Sequence, residues 1–308
     1  MKKKLFGTFL ATAALLSITA CGGGGGDPLG GDSSPNAGGS SGDKIIVGSA
    51  DFPESQLIGK IYAEALRAKG VTVEEKMSLG SREVTIPALK DGSIDLMPEY
   101  SGALLQYFTP DTKATSKEEV NKELEGVIPS GLKLLDMAEA ENKDVLTVKP
   151  ETAQKYNLTK ISDLVPVAGE LVLGGPPEWK TRVNGVAGLK SVYGLEFKSF
   201  SSLDAGGPLT LNALLNNQIQ AADLFSTDPA IAANNLVRLE DDKNLFLAEN
   251  IVPLINEKKA TDVVSKTLND VSAKLKTDEL VAMNGRVAKF EDIGVIAKDW
   301  LSEQGLNK

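Results

Sequence analysis

Ala88-Leu89-Lys90-Asp91-Gly92-Ser93-Ile94-Asp95-Leu96 recurs 125 residues later as Ala213-Leu214-Leu215-Asn216-Asn217-Gln218-Ile219-Gln220-Ala221. In each copy a helix end, a polar turn and a buried strand follow at the same spacing, the signature of an α/β layer. Any α/β protein contains helix–turn–strand units, so the repeat alone fits both two similar lobes and coincidence. Working outward from the first copy, Lys44-Ile45-Ile46-Val47-Gly48-Ser49 reads as a buried strand running into a loop. Leu57, Ile58, Ile61, Tyr62, Ala65 and Leu66 recur at helical spacing, with Gly70 closing the segment. Val71–Glu75 alternates as a half-exposed strand, 84–89 is a helix stopped near Gly92, and 94–98 is a third strand. Strand, helix, strand, helix, strand with short connections predicts a parallel sheet.

Two further strands, 144–148 and 251–255, fall where a chain would leave one lobe and return to it. The expected division is 43–141 plus 252–308 for the first lobe and 142–251 for the second. The tail carries helices over 261–275 and 277–284, packed back on the first lobe.

Composition removes most familiar enzyme classes. Histidine is absent and the one cysteine is Cys21. This excludes Ser-His-Asp and Cys-His catalysis, a zinc site on His or thiolate ligands, and any intrachain disulfide. No cofactor or metal is expected. Lysine and arginine number 33 against 42 acidic residues, and without Lys2, Lys3 and Lys4 the balance is 30 to 42, a net charge of about −12. Such a charge repels nucleic acid, so no nucleic-acid partner is expected.

The first twenty residues decide the compartment. Lys2-Lys3-Lys4, an apolar run from Leu5 to Leu16, and Ile18-Thr19-Ala20 before the lone Cys21 resemble a bacterial lipoprotein signal. The run is shorter than the roughly 20 apolar residues of a membrane-spanning helix. The Gly/Ser-rich stretch at 21–42 cannot bury apolar area and reads as a tether. The expected mature chain is lipidated on Cys21, extracytoplasmic, and tied to the outer face of the cytoplasmic membrane.

Four segments then carry a resemblance: Asp51-Phe52-Pro53-Glu54-Ser55, Leu79-Gly80-Ser81-Arg82-Glu83-Val84, Gly92 to Gly102 through Pro98-Glu99-Tyr100, and Phe225-Ser226-Thr227-Asp228. With Glu240-Asp241-Asp242-Lys243 and Ile251-Val252-Pro253-Leu254 they resemble the OpuAC-like substrate-binding proteins of glycine betaine, choline and carnitine ABC importers, from about residue 44 to 305. The resemblance implies an α/β fold of the type II periplasmic-binding-protein kind, two lobes joined by a two-segment hinge. It implies a small polar solute, of quaternary-amine type, enclosed between the lobes and delivered to an ABC permease and its ATPase.

A quaternary ammonium has charge but no N–H, so such sites rely on aromatic faces, worth about 0.5–2 kcal/mol per ring. The family gathers tyrosines from separate segments. In this chain only Tyr100 matches one; the other positions hold Asp144, Val186 and the aliphatic stretch Ala230-Ile231-Ala232-Ala233. Phe52 and Ser55 follow the first strand. Trp179 follows the rigid Gly174-Gly175-Pro176-Pro177, at the carboxyl end of a strand, where ligands of open sheets collect. Asp144, at the first crossing, is either an exposed hinge carboxylate beside Lys143 or a contact to a cationic or polyhydroxylated ligand. Asp204 opens a helix whose free N–H groups suit an anionic ligand group, although a plain helix start explains the segment equally. Thr227 and Asp228 complete the candidate set. Tyr62, Tyr107, Tyr156 and Tyr193 read as scaffold. Arg82 either pairs with a neighbouring carboxylate or serves the site, and 241–244 reads as a solvated turn rather than a calcium loop.

Three rival readings stand beside the importer. One keeps the transport role with a non-quaternary ligand, a polyol or an aromatic metabolite. A second is a carboxylate-based glycosidase using Asp95, Glu99 and Asp228, disfavoured by the 5% aromatic content. A third is a surface interaction lipoprotein with no small-molecule ligand.

Overall fold

The computed structural model describes residues 44–308. The signal over 1–20, Cys21 and the tether lie outside the described residues. The chain first lays down β1 (Lys44–Gly48), α1 (Pro53–Ala68), β2 (Thr72–Lys76), α2 (Arg82–Asp91), β3 (Leu96–Tyr100), α3 (Ser101–Phe108), α4 (Lys117–Val127) and β4 (Leu132–Leu134). It then builds β5 (Asp144–Val148), α5 (Pro150–Tyr156), β6 (Val172–Gly175), α6 (Val186–Tyr193), β7 (Ser199–Ser202), α7 (Pro208–Leu215), β8 (Ala221–Phe225), α8 (Pro229–Ala233) and β9 (Val237–Arg238). It returns through β10 (Ile251–Asn256) and ends in α9 (Asp262–Ser272), α10 (Thr277–Val287) and α11 (Ile293–Glu303).

Two five-stranded sheets result, in the orders β2-β1-β3-β10-β4 and β7-β6-β8-β5-β9. In each, three strands run parallel and the fourth runs antiparallel: β10 against β3 in the first sheet, β5 against β8 in the second. The expected parallel unit is therefore present, and each crossing strand converts it to a mixed sheet. Helices on both faces close two apolar layers per sheet. Leu57, Ile61 and Leu66 of α1 pack with Leu268 of α9, Leu280 of α10 and Trp300 of α11, so the tail belongs to the first sheet.

The repeated nonapeptide occupies the same place in both sheets. Ile94 and Ile219 are buried, and each presses on a strand glycine: a Cβ on Gly48 would meet Ile94 Cδ1 at 2.7 Å, and one on Gly174 would meet Ile219 Cδ1 at 2.5 Å. Asp95 and Gln220 then make the same two bonds. The Asp95 N–H donates to Ile46 O at 2.7 Å while its Oδ2 accepts from Ile46 N at 2.9 Å. The Gln220 N–H donates to Val172 O at 2.9 Å while its Oε1 accepts from Val172 N at 3.0 Å. A side chain thus supplies the rung where the backbones have not yet come into register, and β3 starts at Leu96, two residues later than the apolar run suggests.

The two passages between the sheets run side by side. Asn142 N–H donates to Glu249 O at 3.0 Å and Ile251 N–H to Ala140 O at 3.1 Å, around an isolated antiparallel bridge between Glu141 and Asn250. The Asn250 amide holds Ala138 O at 3.0 Å, and its backbone exchanges bonds with Ser101 at the start of α3.

Candidate functional site

A cleft lies between the two sheets, where the loops after β1 and β6 and the ends of β3 and β8 converge with the crossings. It encloses about 70 Å³, room for roughly five to seven waters at 10–15 Å³ each, which suits a small solute. One wall is aromatic. Phe52 packs on Tyr100 with ring centroids 5.7 Å apart and on Phe225 at 5.1 Å, both tilted. The sequence explains the placement: Phe52 caps α1 with Pro53 at its first position and Tyr100 caps α3, so each ring stands at a strand-to-helix turn.

Behind this wall Glu54, only 4% exposed, accepts four hydrogen bonds. Tyr100 Oη donates at 2.9 Å, the Asn142 amide at 2.8 Å, Thr227 Oγ1 at 2.5 Å and the Asn284 amide at 2.6 Å. These donors come from the end of β3, a crossing, the loop after β8 and α10. A buried carboxylate so satisfied costs far less than a bare one and fixes all four segments. Burial, and then the Glu54 charge, holds the Tyr100 phenol well above its usual range, so Tyr100 stays a neutral donor.

The other wall is charged. Arg82 makes a bidentate pair with Glu99 (Nε–Oε1 3.0 Å, Nη2–Oε2 2.7 Å), and Arg182 makes another with Glu83 (Nε–Oε1 3.1 Å, Nη2–Oε2 2.8 Å). The second pair joins α2 of the first sheet to the loop before α6 of the second. Burial opposes ionisation of Glu83, but Arg182 and Ser81 prevail and bring it down to about 2. Asp144 Oδ2 accepts from the Asn184 amide at 2.8 Å and from Trp179 Nε1 at 3.2 Å. Burial pushes Asp144 up to about 6 against the opposing pull of Arg182, Trp179, Arg82 and Asn184. Asp223, 1% exposed, is driven well above the usual carboxylate range by burial and then by the Asp144 charge. Glu249 is raised for the same two reasons.

Of the residues singled out from sequence, Phe52, Ser55, Tyr100, Asp144 and Trp179 line the cleft together. Ser55 accepts the Ala50 N–H at 3.0 Å and shapes the loop after β1. Trp179 is a buried wall whose indole N–H orients Asp144. Asp204, Thr227 and Asp228 are engaged elsewhere. Asp204 accepts the N–H groups of Leu209 at 3.0 Å and Thr210 at 2.8 Å, so the start of α7 already holds an anion of its own chain. Thr227 serves Glu54. Asp228 caps α8 through the Ala230 N–H at 2.8 Å and, with Thr227, borders a second, apolar hollow behind Phe52 and Phe225.

Arg82 takes the carboxylate-pair alternative. The turn at 241–244 is exposed at 242–244 and also held in place: Asp241 accepts from Tyr193 Oη and from the Phe246 N–H at 2.7 Å, and Asp242 accepts from Ser162 Oγ at 2.7 Å. Glu54, Arg182, Asp223, Phe225 and Glu249 were not among the sequence candidates. Asp223 did leave a signal, a lone charge inside the apolar strand Ala221-Ala222-Asp223-Leu224-Phe225.

One family model spans most of the chain, and solved structures share its fold. The model described as the substrate binding domain of the ABC-type glycine betaine transport system matches residues 43–303. The carnitine transport binding protein OpuCC of Listeria monocytogenes is 29% identical over 320 residues, covering 98% of this chain and 97% of that protein. The glycine betaine-binding protein YehZ of Escherichia coli K12 is 27% identical over 280 residues, covering 86% and 92%. A solved glycine betaine/carnitine/choline ABC transporter structure superposes with a TM-score of 0.67 at 23% identity, over 86% of this chain and 100% of the other.

Proposed function

The chain belongs to the family of substrate-binding domains of ABC-type glycine betaine transport systems, and from that premise we propose that the cleft between its two sheets captures a small amine-type compatible solute and presents it to an ABC permease. The observation that carries this reading is the cleft itself: a wall of three packed rings facing carboxylates that form no ion pair among the described residues, in a space sized for a small cation. The relatives named for carnitine and glycine betaine support the same solute class. Phe52, Tyr100 and Phe225 would meet the apolar part of the solute, and Asp144 and Asp223 its positive charge.

The reading assigns the chain no chemistry of its own. The three acids of the glycosidase alternative have other duties: Asp95 holds Ile46 N, Glu99 pairs with Arg82, and Asp228 caps α8. The sheets, with the paired passages at 140–142 and 249–251, are read as two lobes that close by hinging at those passages. Among the described residues no helix is long and apolar enough to cross a membrane. Binding proteins of ABC importers are extracytoplasmic, and a lipid on Cys21 is the anchor we propose.

Calorimetric titration of glycine betaine, choline and carnitine into the wild type and Tyr100→Ala tests the reading. One site per chain, weakened at least tenfold in the variant, is expected. Absence of binding by all three and by the protonated amine ethanolamine, together with no thermal stabilisation by any, would overturn it; a ligand at 100 times its Kd should stabilise by about 2.7 kcal/mol.

A further inference from the structure

The charges of the cleft are unbalanced. Its two arginines are already engaged by Glu99 and Glu83. Asp144, Asp223 and Glu249 also face it, and among the described residues none of the three forms an ion pair. Asp144 has its Oδ2 occupied by the Trp179 and Asn184 donors. Asp223 differs in kind: it is 1% exposed, it borders the cleft, and no donor among the described residues reaches its Oδ1. A buried acceptor without a donor is costly, and more so for a carboxylate.

A quaternary ammonium relieves the charge but has no hydrogen to give this oxygen. Its usual partner, an open aromatic face, is also limited here. Phe52 lies against both Tyr100 and Phe225, and the Trp179 ring is buried with its N–H turned to Asp144. Charge and hydrogen-bond demand therefore point to the same group, a cation that carries N–H.

We propose that the cleft selects a small protonated amine over its quaternary counterpart, with the cationic N–H donating to the Asp223 carboxylate and its charge shared with Asp144. This rests on the reading of the cleft as an amine-solute site and narrows it.

The test is a matched series at pH 7.5, ethanolamine, N,N-dimethylethanolamine and choline, titrated calorimetrically into the wild type and Asp223→Asn, with glycine betaine and carnitine as reference solutes. The expected result is that at least one protonated amine binds the wild type at least tenfold tighter than choline, and that the ratio falls below threefold in Asp223→Asn. Choline, glycine betaine or carnitine binding more tightly than both protonated amines would overturn this inference while leaving the proposed function standing. No binding by any of the five would overturn both. The wild-type series decides the matter even if Asp223→Asn fails to fold.

Discussion

At the scale of single residues, two carboxylates show how environment sets role. Glu54 is buried with four donors, whereas Asp144 has two and is pushed up by burial against the pull of Arg182 and Arg82. Tyr100→Phe keeps the ring and removes one Glu54 donor. It should lower stability by about 1–3 kcal/mol in urea denaturation while changing solute affinity less than about threefold. The Asp144 linkage has a definite sign. Its folded value, about 6, lies above the roughly 3.9 of an unfolded aspartate. Its stability contribution in the free protein is therefore full below about pH 4 and lost as pH rises through about 6, by up to about 3 kcal/mol. Arg182 and Arg82 oppose this shift, Asp223 and Glu249 are its like-charged neighbours, and Trp179 and Asn184 hold the ionised oxygen. A cationic solute binds the ionised form, so affinity should rise by about tenfold in total between pH 5 and 7, and Asp144→Asn should flatten both profiles. Calorimetry and thermal melts across that range measure them.

At the scale of elements, the repeated helix–turn–strand unit brings its own fastening. The Asp95 and Gln220 side chains each supply a rung between a strand that is starting and one already placed. Asp95→Ala leaves the Ile46 N–H without that acceptor, and we expect a loss of about 1–3 kcal/mol in chemical denaturation with unchanged solute affinity. The repeat was legible because both copies keep the isoleucine, the polar turn and the strand at identical spacing. What it meant was not, because periodicity does not distinguish a recurrent motif from a duplicated layer; the matching strand orders do. The candidate site was legible where a residue sits beside a strand end, as Phe52, Tyr100 and Trp179 do. At Asp204 and Asp228 the carboxylates hold the starts of α7 and α8, which sequence could not separate from a ligand contact because an acid at a helix start suits either.

At the scale of the whole molecule, the cleft is spanned by the Arg182–Glu83 pair, by the Thr227–Glu54 bond and by the Gln106 amide on Leu245 O at 3.2 Å. Two units joined at two adjacent passages should hinge there, and a true solute should make the molecule more compact in scattering or paired-label distances. The Arg182–Glu83 pair is partly exposed, so Glu83→Gln should weaken solute binding less than about fivefold, the range of a surface ion pair of up to about 1 kcal/mol. Its clearer effect should be a broader distribution of inter-unit distances. Cys21→Ala should release the protein from the membrane fraction or leave an uncleaved precursor; unlipidated Cys21 in wild-type membranes would contradict the anchor.

The sequence by itself determined the layered α/β architecture, the family and the exclusion of histidine and thiol chemistry, because hydrophobic periodicity, turn residues and composition act locally along the chain. Only the tertiary structure decided the character of the cleft. Asp144, Asp223 and Glu249 are separated by 79 and 26 residues, and no local pattern tells that they face one enclosed space or that the two arginines there are already paired. Burial and mutual repulsion arise only when the sheets meet, and these set the charge of the cleft and its unmatched acceptor.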